Sequence, residues 1–157
     1  MGLRRKSREI AVQTLYSLNF VETSDYLGDL ELVSKFEDKL SEICDDLDIE
    51  KDSKIFKFSE ELLKGTLTNI TVIDEKIQEY TKNTEFSRMP PIDLSILRIA
   101  GYEIIYTKTP VAIVINEALE VTRKFSDENT RKFINGVLNT ISNNLEKEKK
   151  TETEAND

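Results

Sequence analysis

A basic segment at the N-terminus has the residue types needed to contact the phosphates of a nucleic acid. Arg4, Arg5, Lys6 and Arg8 place four positive charges before the first acidic residue, Glu9. Cations at the start of a helix can follow a phosphate backbone, and single-stranded RNA also stacks its bases on arginine or aromatic side chains. Because these positions precede the first expected core residue, we expect their replacement to leave the fold intact.

A second basic cluster lies near the C-terminus, in a chain whose formal net charge is −8. It comprises Arg123, Lys124, Arg131 and Lys132, diluted by Asp127 and Glu128. The stretch 20–61, in contrast, holds 14 acidic residues and five lysines. Such separation of charge predicts two partners, one anionic and one cationic, although charged stretches are more often simply solvated surfaces.

Residues suited to catalysis or metal binding are scarce. The chain has no histidine and one cysteine, Cys44, so it has neither a serine–histidine pair nor a cysteine zinc site. It lacks the glycine-rich motifs that cradle phosphates, so we expect no cofactor and no enzyme activity. No apolar run approaches the ~20 residues that span a membrane, and no secretory signal is recognisable. These features favour the cytoplasm.

Helical periodicity dominates the first half of the chain. A first helix is predicted over about 3–21, with Ala11, Leu15 and Leu18 facing the core and Lys6, Glu9 and Gln13 on the opposite side. A second helix carries apolar residues at intervals of three and four: Val33, Phe36, Leu40, Ile43 and Leu47. Apolar positions from Ile55 to Tyr80 then recur about every 3.6 residues, which predicts one long helix bent at Gly65.

Two proline sites mark the helices of the second half. Pro90 and Pro91 end the preceding element, and Asp93 is a candidate cap for a helix that reaches about Tyr106. That helix is apolar nearly all round, so it is expected in the middle of the fold. The β-branched run 111–115 resembles a strand, but the apolar spacing that continues from it to Phe125 favours a helix.

The last predicted helix ends near Leu145. Gly136 lies at the edge of its apolar face, where it would let another helix approach closely. The residues 146–157 are charged and have almost nothing to bury, so we expect a single helical domain over 1–145 followed by a disordered tail.

Three segments together resemble the bacterial NusB family of transcription factors. They are RRKSREIAVQTLYSLNF, DLSILRIAGYEIIYTKTPVAIVINEALEVTRKF and RKFINGVLNTI. The likeness is clear over about residues 3–21 and 88–143 and weak between them. It implies an all-α fold of about six to seven helices, arranged as two packed three-helix subdomains.

The resemblance also implies a function without catalysis. Members of the family bind the boxA element of nascent ribosomal RNA leader transcripts together with NusE, which is also a small-subunit ribosomal protein. The pair helps the transcription elongation complex to pass terminators during ribosomal RNA synthesis. No cofactor is implied, and the sequence leaves open whether the free protein is a monomer or a homodimer.

The same resemblance assigns residues to two surfaces. The RNA candidates are Arg4, Arg5, Lys6, Arg8, Gln13, Tyr16, Asn129, Thr130, Lys132 and Phe133. For Tyr16 and Phe133, a place in the core is the alternative interpretation. The candidates for contact with NusE are Asp93, Glu75 and Glu79. Family members often carry an aromatic residue and a lysine where this chain has Val111 and Ala112, so an RNA contact there is in doubt.

The sequence also allows three other interpretations. The chain could be a protein–protein adaptor that uses its acidic surfaces and binds no RNA, and salt-dependent RNA binding would distinguish the two. Domains of this type also form the N-terminal part of some ribosomal RNA methyltransferases, but the chain contains no glycine-rich cofactor loop. An enzyme is the interpretation that the residues favour least.

Overall fold

The computed structural model describes residues 2–18 and 30–156, and all the regular structure in these ranges is helical. The all-α prediction is therefore confirmed. The eight helices are α1 (Leu3–Ser17), α2 (Leu30–Asp46), α3 (Lys54–Thr68), α4 (Ile70–Tyr80), α5 (Asn83–Arg88), α6 (Pro91–Tyr106), α7 (Val111–Phe125) and α8 (Glu128–Asn156). The predicted end of the first helix, near Val21, lies outside the described residues.

Helix α6 lies at the centre of the fold, as its nearly uniform apolar character predicts. It packs against α1, α3, α4, α7 and α8, while α2 packs on α1. One group of helices is thus α1, α2 and α3, and the other is α4, α6, α7 and α8. The buried guanidinium of Arg98 ties α6 to α4 by donating to Asp74 from Nε at 2.8 Å and from Nη2 at 2.7 Å.

The long third helix of the sequence prediction is in fact two helices. The break falls at Asn69, whose backbone leaves the helical region with φ −111° and ψ 20°. Its side-chain amide donates to the Gly65 carbonyl at 2.8 Å, so the side chain satisfies a backbone group at the end of α3. The prediction of a bend at Gly65 is therefore wrong by one turn. The apolar spacing is uninterrupted at Asn69, so the sequence pattern does not show where α3 ends.

Two residues predicted to face the core, one near the end of α2 and one at the end of α4, are exposed. Phe36 and Leu40 are buried as expected, but Leu47 lies beyond the end of α2 and is exposed. Tyr80 ends α4 with an exposed ring instead of a buried one. The close approach expected at Gly136 is confirmed, because a Cβ there would come within 2.9 Å of the Tyr80 hydroxyl.

The second half of the fold differs from its prediction mainly in α5 and in the start of α6. The β-branched run 111–115 is helical, as expected. Asp93 does not cap α6; Pro90 occupies the cap position, and Asp93 lies inside the first turn. Residues 146–156 continue α8. Lys76 donates to Glu148 at 2.6 Å, and the Thr151 hydroxyl donates to the Lys147 carbonyl, so the charged segment has partners although it buries little.

Candidate nucleic-acid interface

The first turns of α1 hold the four N-terminal cations in different environments. Arg8 is only 5% exposed, and its guanidinium forms two hydrogen bonds with the Glu103 carboxylate, at 2.9 Å from Nε and 2.8 Å from Nη2. A paired, buried arginine of this kind belongs to the core. The expectation that all four cations can be replaced without harm to the fold is therefore wrong for Arg8.

Arg5 and Lys6 also face carboxylates, but nearer to solvent. Arg5 donates to Glu117 of α7 at 2.7 Å and 3.0 Å, and this hydrogen bond lowers the pKa of Glu117 below its ordinary value. Lys6 lies 3.9 Å from Glu9. Both cations are partly exposed, so a phosphate could compete with these acids for them.

Glu9 links the two basic clusters of the sequence. It was expected to point away from the core, but it is buried and accepts a hydrogen bond from Lys124 of α7 at 2.9 Å. The amphipathic pattern of α1 could not reveal this, because the partner lies 115 positions later in the chain. The pairing places Lys124 beside the N-terminal segment, on the same side of the protein.

Arg4 differs from its neighbours because no carboxylate of the described residues lies within ion-pair distance of it. Its guanidinium stands over the ring of Phe58 in α3, with Cζ 4.6 Å from the ring centroid. A cation held over an aromatic face keeps its charge and its hydrogen-bond donors available while its position is restricted. Arg4 is exposed, which suits a contact with phosphate.

Gln13 and Tyr16 lie further along α1. Gln13 is half-buried, whereas Tyr16 is 48% exposed. The exposure of Tyr16 favours its interpretation as a surface aromatic ring over that of a core residue, because a packed tyrosine would be covered.

The second candidate segment is the connection between α7 and α8. The Asp127 carboxylate accepts a hydrogen bond from the Thr130 backbone at 2.9 Å, and this bond lowers the pKa of Asp127. The bond fixes the first turn of α8, which leaves Asn129 and Lys132 exposed and Thr130 half-buried. Phe133 is half-buried too, with its ring edge-to-face with Tyr80 at 6.0 Å between centroids.

A cavity of about 420 Å³ joins this segment to α5 and α6. Asn129, Thr130 and Phe133 form one wall, and Asp93 lies on another. The α5 residues Thr84, Glu85 and Arg88 complete it, although α5 was not predicted from the sequence. Residues that the resemblance assigns to RNA and to the protein partner thus line one cavity, although the assignment placed them on two surfaces.

The three acidic candidates for partner contact differ in how accessible they are. Asp93 is only 5% exposed and accepts a hydrogen bond from the Ser126 hydroxyl at 3.4 Å, and burial raises its pKa. Glu79 accepts hydrogen bonds from Lys76 at 3.3 Å and Asn144 at 3.0 Å. Glu75 is exposed. Within the described residues no cluster of ligands could hold a metal ion, and no helix is long and apolar enough to cross a membrane.

The comparison with known families matches the NusB family over residues 5–143. The chain belongs to the NusB family. The resemblance drawn from the three sequence segments is thereby confirmed, and the match also covers the region between them where the sequence likeness was weak.

Relatives and solved structures agree with this assignment. The transcription antitermination protein NusB of Geotalea daltonii is 40% identical over 147 residues, covering 92% of this chain and 97% of the relative. That of Elusimicrobium minutum is 38% identical, covering 90% and 94%. The structure of T. maritima NusB matches with a TM-score of 0.69 at 28% identity, covering 89% of this chain and 90% of that one. A structure of NusB and NusE with double-stranded RNA shares the fold, with a TM-score of 0.72 at 22% identity.

The residues after Pro110, where an RNA contact was in doubt, begin a helix and adjoin a cleft. Pro110 precedes α7, and Val111 and Ala112 form its first turn. Ile113 lies beside them with an exposed side chain, in a cleft of about 390 Å³ that also holds Arg4, Arg5 and Glu117. We call this the α1–α7 cleft. It offers apolar contacts and arginines.

Proposed function

We propose that this chain is a transcription antitermination factor that binds boxA-type single-stranded RNA of ribosomal RNA leader transcripts together with NusE. The observation that carries the proposal is the family match over residues 5–143, with curated relatives named transcription antitermination proteins. That name describes a regulatory activity and not a catalysed reaction. Such a role places the protein with RNA polymerase, in the cytoplasm.

The distribution of free cations supports the RNA part of the proposal. Arg4 and Lys132 are exposed and have no acidic partner among the described residues. Arg5 and Lys6 are partly exposed and can exchange their carboxylates for phosphates. The proposed contacts to bases and sugars offer amide, hydroxyl and aromatic groups, and they are Gln13, Tyr16, Asn129, Thr130 and Phe133. Arg8 contributes by holding α1 in place.

The acidic residues support the NusE part of the proposal. Glu75 is an exposed carboxylate on α4, and Glu79 lies one turn later on the same helix. A basic ribosomal protein would favour such a surface. Asp93 is the third proposed contact, and because it is buried it would act from the floor of the cavity that it shares with Asn129.

A direct test is the binding of two RNAs of equal length by the purified protein. One contains a boxA-like sequence and the other contains the same nucleotides in scrambled order. We expect tighter binding of the first, with an affinity that falls as salt rises, because phosphate contacts release counterions. Equal affinity for both RNAs would contradict boxA recognition, and no salt-dependent binding of either would leave the protein–protein adaptor as the better account.

The adaptor alternative is not favoured, because no observation on the molecule requires it. The family match includes the N-terminal basic segment from Arg5 onward and the segment around Asn129. Both segments carry exposed or partly exposed cations. An RNA-binding protein would use them to contact phosphates, whereas an adaptor that binds no RNA would not require them.

A further inference from the structure

A second cleft lies on the other side of the N-terminal segment, between α1 and α3. Its volume is about 320 Å³, which falls within the ~300–1,000 Å³ typical of ligand sites. It is lined by Leu3, Arg4, Ser7, Lys54, Lys57, Phe58 and Glu61. We call it the α1–α3 cleft. It shares Arg4 with the α1–α7 cleft, so the two clefts flank the same guanidinium.

The cations of the α1–α3 cleft are free. Lys54 and Lys57 are exposed, and within the described ranges neither they nor Arg4 has a carboxylate within ion-pair distance. Glu61 is the acidic residue of the lining, so the cleft carries three positive charges against one negative. Lys54 also begins α3, where the helix dipole adds partial positive charge. In a chain of net charge −8, this is a local excess of cations.

Apolar groups accompany these cations. Phe58 forms the surface on which the Arg4 guanidinium rests, at 4.6 Å from the ring centroid. Leu3, at the edge of the cleft, is 56% exposed. Fixed cations beside exposed apolar surface form the combination that binds single-stranded nucleic acid, because phosphates and base faces are engaged together.

We propose that RNA held at the N-terminal segment continues into the α1–α3 cleft, where Lys54 and Lys57 contact its phosphates and Leu3 contacts a base. This inference rests on the proposed function and extends its RNA surface from α1 and α8 onto α3. RNA fits better than an acidic protein segment, because Arg4 makes the cleft continuous with the surface already proposed for RNA. A polyanion that reaches Arg4 from the α1–α7 cleft meets Lys54 and Lys57 next.

The test compares two double variants that lose the same charge. Lys54→Ala/Lys57→Ala removes the lysines of the cleft, and Lys147→Ala/Lys149→Ala removes two exposed lysines of α8 that line none of the clefts described. Each is titrated with a boxA-like RNA that carries single-stranded flanks on both sides, over a range of salt concentrations. Circular dichroism and thermal unfolding verify that both variants are folded.

We expect the cleft variant to lose ~1.4 from the log–log salt slope, since each phosphate contact on a single strand contributes ~0.7. Extrapolated from 1 M to 0.1 M salt, that slope corresponds to an affinity loss of ~25-fold. The α8 variant is expected to match the wild type. If the two variants bind alike, RNA does not enter the cleft and the inference is overturned, while the proposed function stands as long as the wild type prefers boxA-like RNA.

A gain of affinity provides a second test that unfolding cannot imitate. Glu61→Gln removes the one acidic side chain of the lining, so RNA binding should tighten by ~3-fold at low salt, the size of one weakly screened surface charge. Glu146→Gln, which removes an exposed acidic side chain of α8 that has no ion pair among the described residues and lines none of the clefts, is the control. Unchanged affinity in Glu61→Gln would also count against RNA in the cleft. A wild type that binds neither boxA-like nor scrambled RNA would instead overturn the proposed function itself.

Discussion

Arg4 and Arg8 lie one helical turn apart and stand over the same aromatic ring, yet the fold gives them opposite environments. The Arg4 guanidinium is 4.6 Å from the Phe58 centroid and that of Arg8 is 5.5 Å from it. Arg4 is exposed and has no carboxylate near it among the described residues, whereas Arg8 is buried against Glu103. A basic segment that is uniform in sequence is therefore divided into an exposed, unpaired cation and a buried cation of the core.

A count of positive charges in the sequence therefore overestimates the number of cations that are available to bind RNA. Arg5, Lys6 and Lys124 all have acidic partners from α1 or α7, so their charge is partly neutralised within the protein. Each such pair must open, or accept a phosphate beside a carboxylate, before it contributes to binding. The comparison between paired and unpaired cations can be tested residue by residue.

The largest effect is expected from Arg8→Ala, and it concerns stability. The variant leaves the Glu103 carboxylate buried without its partner, which typically costs ~3–5 kcal/mol of unfolding free energy. Urea denaturation followed by circular dichroism measures it. The double variant Arg8→Met/Glu103→Leu, which removes both charges, should recover most of the loss. A single variant as stable as the wild type would show that Arg8 is not part of the core.

Arg4→Ala should change RNA binding instead of stability. Loss of one unpaired cation is expected to reduce the log–log salt slope by ~0.7 and the affinity at 0.1 M salt by ~5-fold. The unfolding free energy should change by less than ~1 kcal/mol, because an exposed cation–aromatic contact contributes only that much. If Arg4→Ala retains the full slope, the unpaired arginine does not touch phosphate.

Asn129→Asp adds a negative charge to an exposed position beside Lys132 at the start of α8. We expect RNA affinity to fall by ~3-fold at low salt, the size of one weakly screened surface charge, and the difference to shrink at high salt. Filter binding at two salt concentrations measures both quantities, and Asn143→Asp, exposed near the middle of α8, serves as the control. A loss that is equal at both salt concentrations would point to a lost hydrogen bond and not to charge.

The smallest effect is expected from Glu117→Gln, which releases Arg5 from its carboxylate. RNA should bind slightly more tightly, by ~2-fold, because a paired cation becomes free. Stability should respond to pH in a defined direction. The hydrogen bond from Arg5 lowers the pKa of Glu117, so the wild type gains stability above the ordinary pKa of ~4.3 and loses it as the pH falls through the lowered value.

Thermal unfolding of both proteins between pH 7 and pH 3 tests that direction. The variant should be less stable than the wild type near neutrality and equal to it in acid. If the wild type's advantage instead increases as the pH falls, Arg5 does not stabilise the Glu117 carboxylate.

The fold was largely predictable from the sequence, because most helices carry a continuous apolar stripe. The helical run 111–115 followed from such spacing, α6 followed from its prolines and its nearly uniform apolar character, and the family resemblance supplied the arrangement. Helix α5 has six residues and no apolar repeat, so it gave no signal before Pro90. The break at Asn69 was missed for the opposite reason, since the stripe runs across it. Residues 146–156 offered no buried face, and their helix is held by contacts such as Lys76–Glu148.

The site was predictable as a set of residue types and not as an arrangement. The clusters around Arg4 and Asn129 were visible as local charge. The burial of Arg8 and Glu9 was not, because both depend on partners in α6 and α7 more than 90 positions away. The cavity that joins Asp93 to Asn129 also requires α5 and the packing of α6 against α8. A variant such as Asp93→Lys is consequently expected to disturb both candidate surfaces, and it cannot separate RNA binding from NusE binding.

We propose that this chain holds RNA and NusE in one complex, because few of the cations around Arg4 and Lys132 are unpaired among the described residues, too few for tight RNA binding alone. Titration of boxA-like RNA with and without saturating NusE tests this most directly. We expect NusE to raise the affinity for RNA by ~5–150-fold, corresponding to a typical coupling of ~1–3 kcal/mol, and RNA to raise the affinity for NusE by the same factor. Equal RNA affinity in the presence and absence of NusE would contradict the account.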